Sequence, residues 1–125
     1  ISGTNDLTID GIYPDAVFVD GGGGDYGVKI ANANGVTLKE LTIRSATDAL
    51  VLESAGVGGH DDPALKIELD TVLIYGTSGS CVSMDRTSSL QMSRCTVAGN
   101  IHFSITGDQS DKSLNGCPFF LGSIT

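Results

Sequence analysis

The sequence predicts an all-β chain, wound as a right-handed, three-sheet parallel β-helix of three to four coils of about 22 residues. Three observations carry that reading. Apolar and polar residues alternate over short runs, the runs recur at near-constant spacing, and turn-forming residues separate most of them.

Taken in order, Leu7-Thr8-Ile9 and Val17-Phe18-Val19 open the chain and are interrupted by Gly21 to Gly24. Val28-Lys29-Ile30 is echoed by Leu50-Val51-Leu52, and the interval from Ile30 to Leu52 sets the period. The counterpart of Leu52 is Met84, which lies well past one period, and the surplus reads as a loop excursion over 55–64 that holds Gly58-Gly59-His60-Asp61-Asp62-Pro63. Phe103 follows Met84 at close to one period again. Two further strands per coil lie between these: Val36-Thr37-Leu38 with Leu41-Thr42-Ile43, Leu65-Lys66-Ile67 with Val72-Leu73-Ile74, and Leu90-Gln91-Met92 with Cys95-Thr96-Val97. Ile, Leu, Val, Met and Cys are expected inside, with Thr, Lys, Glu, Ser and Gln outside. Residues 106–125 break the pattern and read as a cap or a contact segment.

An antiparallel sandwich also yields many short strands, but it predicts two-residue hairpin turns and no echo at a fixed long period. A leucine-rich repeat lacks both its asparagine ladder and its helical segments here. The expectation is one domain over 1–125, as part of a longer chain.

Seven basic against fifteen acidic residues give a net charge of −8, and the basic residues are scattered. Nucleic acid and anionic membranes both require clustered positive charge, so neither is an expected partner. No apolar run reaches the ~20 residues that span a bilayer. Cys81, Cys95 and Cys117 are odd in number, form no C-x-x-C pair and have no neighbouring histidine, so neither a disulfide framework nor a zinc site is expected. Cys81 and Cys95 read as small buried hydrophobes.

The stretch from Gly35 through Ser45, followed by Asp48-Ala49-Leu50-Val51-Leu52, resembles the coils of pectate-lyase-like parallel β-helices, including those of phage tailspikes and other virion appendages. The resemblance covers roughly residues 26 to 105 and includes no active-site motif. It implies a virion or extracellular location, a homotrimer or other virion proteins as partners, and contact with polysaccharide.

Two clusters could carry chemistry. If Leu52 and Met84 stack, the next residues, Glu53 and Asp85, place two carboxylates one strand spacing apart, as a retaining glycosidase or a calcium site requires. His60 with Asp61 or Asp62 could act as acid and base, and Arg86 adjoins Asp85 as a further binding group. The plain alternatives are strand-end carboxylates splayed into water and a solvated loop. His102 is expected to face outward. Gly21 to Gly24 lack the Lys and Ser/Thr of a phosphate loop. The expected function is therefore a structural or receptor-facing segment; a polysaccharide lyase or hydrolase using Glu53 and Asp85, and a carbohydrate-binding adhesin module, are the alternatives.

Overall fold

The computed structural model describes the backbone of residues 1–13, 17–59, 61–85, 87–98, 100–103, 112–113 and 119–121, with side chains as far as Ala98. Strands β1 (Thr8–Asp10), β3 (Thr37–Lys39), β5 (Ile67–Asp70), β8 (Leu90–Ser93) and β11 (Lys112–Ser113) form a five-stranded sheet in that order. The second sheet takes β2 (Phe18–Ala31), β4 (Thr42–Glu53), β6 (Leu73–Tyr75), β7 (Ser80–Met84), β9 (Thr96–Ala98), β10 (Asn100–Phe103) and β12 (Phe119–Leu121). Among the described residues every strand pairing is parallel.

Parallel partners must be reached by a crossover, so the segments between paired strands carry the chain back to the same end of the sheet. The register shows where it returns. Ile30 lies beside Leu52, Leu52 beside Met84, and Met84 beside Phe103, as the spacing predicts. Leu38, Leu69 and Met92 form a second file, and Ile43, Ile74 and Val97 a third. All nine of these side chains that precede residue 99 are buried. Each contributes about 1.5–3 kcal/mol by leaving water.

Among the described residues the strands form two sheets where three were expected. β4 runs unbroken through Ser45, which takes a left-handed φ of 61°, pairing with β6 through Thr42 to Arg44 and with β7 through Leu50 to Leu52. One strand thereby joins two faces. Nor do the glycines interrupt β2, which spans them. Residues 21 to 23 bulge opposite Ser45, Gly22 and Gly23 take φ of 62° and 78°, and Asp20 Oδ1 accepts from Gly22 N at 2.8 Å. Glycine takes those angles without the steric cost that other residues bear.

The corners between the sheets depart most from the sequence reading. Lys39, Asp70 and Ser93 are in register, so the residues after them, Glu40, Thr71 and Arg94, lie level. Each is left-handed, at φ 53°, 56° and 53°. Leu38 and Leu41, Leu69 and Val72, and Met92 and Cys95 flank these corners, and all six are buried. A left-handed residue re-aims the chain so that positions three apart both point inward, which strict period two forbids. Each such corner costs about 1–2 kcal/mol, and a β-branched residue such as Thr71 is the least suited to it. Backbone bonds compensate: Gly11 N to Lys39 O, Glu40 N to Asp70 O and Thr71 N to Ser93 O, at 2.9–3.0 Å.

Two smaller expectations fail. Leu65-Lys66-Ile67 is not one strand: Pro63–Leu65 makes a 3₁₀ turn with Asp62 as its N-cap, and β5 begins at Ile67. Proline's fixed φ and missing N–H suit a turn start better than a ladder. Thr42, expected outside, is fully buried, level with Phe18 and Leu73.

Two substitutions test this account by urea unfolding. Leu52→Ala removes the middle of a file and is expected to cost about 2–5 kcal/mol. Thr71→Asn places a residue that tolerates the left-handed region and is expected to stabilise the fold by about 0.5–1 kcal/mol; unchanged stability would contradict the strain assigned to that corner.

Candidate functional site

The register that places Leu52 beside Met84 continues one step, since Asp85 N donates to Leu52 O at 3.2 Å. Glu53 and Asp85 therefore follow one another on neighbouring strands, as the sequence implies. Their side chains take different partners. Glu53 turns to the opposite neighbour and pairs with Lys29 Nζ at 3.2 Å, with about half its side chain in water. Asp85 is half-buried and accepts five hydrogen bonds. Oδ2 takes Ser54 N at 2.8 Å; Oδ1 takes Thr87 N at 3.2 Å, Thr87 Oγ1 at 3.0 Å, Ser88 N at 3.0 Å and Ser88 Oγ at 2.7 Å.

The reason lies in a backbone ladder. At this corner Gly3 N donates to Ala31 O and Asn32 N to Glu53 O, each amide reaching the carbonyl of the next layer. Ser54 N comes next in the series, and it meets the Asp85 carboxylate instead of a backbone carbonyl. One residue further, Ala55 N donates to Ser88 Oγ at 3.0 Å, and the backbone ladder resumes as Ser89 N donates to Ala55 O. Asp85 and Ser88 thus supply the oxygens that the backbone fails to deliver. Left unmatched, buried amides of this kind are costly.

Burial alone would raise the Asp85 pKa; the donors from Ser88, Ser54 and Thr87 outweigh it and hold the carboxyl below its ordinary value of 3.8. A proton donor in glycoside cleavage needs the opposite shift.

In the excursion, Ala55 and Gly56 stay with the stack, Gly56 N bonding to Ala33 O at 2.8 Å. Val57, Gly58, Asp61 and Asp62 are exposed. Asp61 N and Asp62 N both donate to Gly58 O, and the Asp62 carboxylate caps the following turn by accepting from Ala64 N at 3.1 Å. His60, Arg86 and the side chain of His102 lie outside the described residues, as does Cys117. Among the described residues no three His, Cys, Asp or Glu side chains gather as metal ligands.

The sequence reading missed a cluster on the outer face. Arg44 lies in register between Asp20 and Tyr75; its Nε donates to Asp20 Oδ2 at 3.2 Å and its Nη1 to Tyr75 Oη at 3.1 Å. The guanidinium also stacks 4.2 Å from the ring centre of Phe18, which is 44% exposed. Ion pairs join Lys39 to Asp10 and Arg94 to Asp70 on the other sheet. The overlooked signal was opposite charge one layer apart: Asp20 precedes Arg44, Lys29 precedes Glu53, and Asp70 precedes Arg94 by the same interval along the chain. Asp48 is a second latch. Its Oδ1 accepts from Ser80 N at 2.7 Å, and a Cβ on Gly79 would come within 2.7 Å of that same oxygen.

Cys81 and Cys95 are both buried. Burial pushes the Cys81 thiol up, against a smaller opposite pull from Thr77. No protein-family model, curated protein or solved structure matches the chain.

Asp85→Ala is expected to cost about 1–3 kcal/mol by stranding Ser54 N and its neighbours. Glu53→Gln, at an exposed pair, should cost under about 1 kcal/mol. Because its pKa is lowered on folding, Asp85 stabilises the fold above its ordinary value of 3.8, and that contribution is lost as pH falls through the lower folded value. The stability gap between wild type and Asp85→Asn should therefore be constant near neutrality and narrow in acid; a gap that widens would contradict the assignment. Thiol labelling followed by peptide mapping should leave Cys81 and Cys95 unmodified until the chain is unfolded.

Proposed function

We propose that this chain is a stretch of right-handed three-sheet parallel β-helix with a structural or receptor-facing role, the bent second sheet supplying two of its three faces. Its setting would be the extracellular surface, in an oligomeric appendage of the tailspike kind. The handedness follows the general rule for parallel crossovers. The reading rests chiefly on one observation: among the described residues, the two carboxylates that stand next to one another, Glu53 and Asp85, are committed to contacts between neighbouring strands. Asp85 replaces a carbonyl, Asp62 caps a turn, and Glu53 pairs with Lys29. The files of buried side chains and the charge pairs across strands suit a rigid spacer.

Exposed Phe18, with Arg44, Asp20 and Tyr75 around it, favours one second reading, a carbohydrate-binding module. An aromatic face with polar groups at its edge suits the apolar side and hydroxyls of a sugar ring.

Light scattering on the eluting protein tests the first proposal, with three times the 12.9 kDa chain mass expected. A monodisperse monomer counts against the appendage. Incubation with acidic and neutral polysaccharides should release no reducing ends or unsaturated products; accumulation that Asp85→Asn abolishes would replace the structural reading with an enzymatic one. For the binding reading, Phe18→Ala should weaken retention on a glycan array while leaving the unfolding midpoint nearly unchanged.

A further inference from the structure

We draw no further inference here: the strongest candidate, the apolar cavity of about 630 Å³ beside β1 and β2, walled by Ile9, Val19 and Val28 over Leu38 and Leu41, has nothing in the structure to show what covers it.

Discussion

The structure depends on register. Once Leu52 is fixed beside Ile30 on one side and Met84 on the other, every side chain along those strands is assigned to the inside or the outside. A slip of one residue would carry the whole apolar set into water. The buried files reward only one alignment, and the charge pairs reinforce it from outside, since Lys39 lies in register with both Asp10 and Asp70. Each exposed pair is worth little by itself. Their use is that a shifted register would set like charges or mismatched groups opposite one another.

Regular layers still have to turn corners, and there the backbone is strained so that the side chains need not be. Glu40, Thr71 and Arg94 accept left-handed geometry so that the apolar residues on both sides of them can point inward. The strain is offset by the six buried neighbours and by amide-to-carbonyl bonds between layers. Where the ladder lacks a carbonyl, side chains complete it. Asp85 and Ser88 do so for Ser54 and Ala55, and Asp48 does so for Ser80.

The stacking of Ile30, Leu52, Met84 and Phe103 was legible in the sequence because burial leaves a periodic trace and repeats echo it. The corners were not. Glycine and asparagine advertise left-handed turns, whereas Thr71, Glu40 and Arg94 do not, and their conformation follows from the packing on either side. The two-sheet count was hidden for a related reason: nothing in Arg44-Ser45-Ala46 announces that β4 continues through a left-handed Ser45. As for the candidate site, the adjacency of Glu53 and Asp85 was readable from spacing alone. Their partners were overlooked, Lys29 one repeat before Glu53 and Thr87 and Ser88 just after Asp85, whereas the bond from Ser54 N follows only from the fold. The Arg44 cluster was missed although its charges were in plain view, since apolar positions were matched along the repeat and charged ones were not.

The layers need not be equal in length. The chain takes a longer path from Thr37 to Glu68 than from Glu68 to Gln91, yet both pairings are in register. The difference is absorbed between Gly56 and Ile67, at the flank of the stack. Within that span Asp61 and Asp62 are exposed, so the place beside them is the natural point for grafting foreign peptides onto an unchanged scaffold.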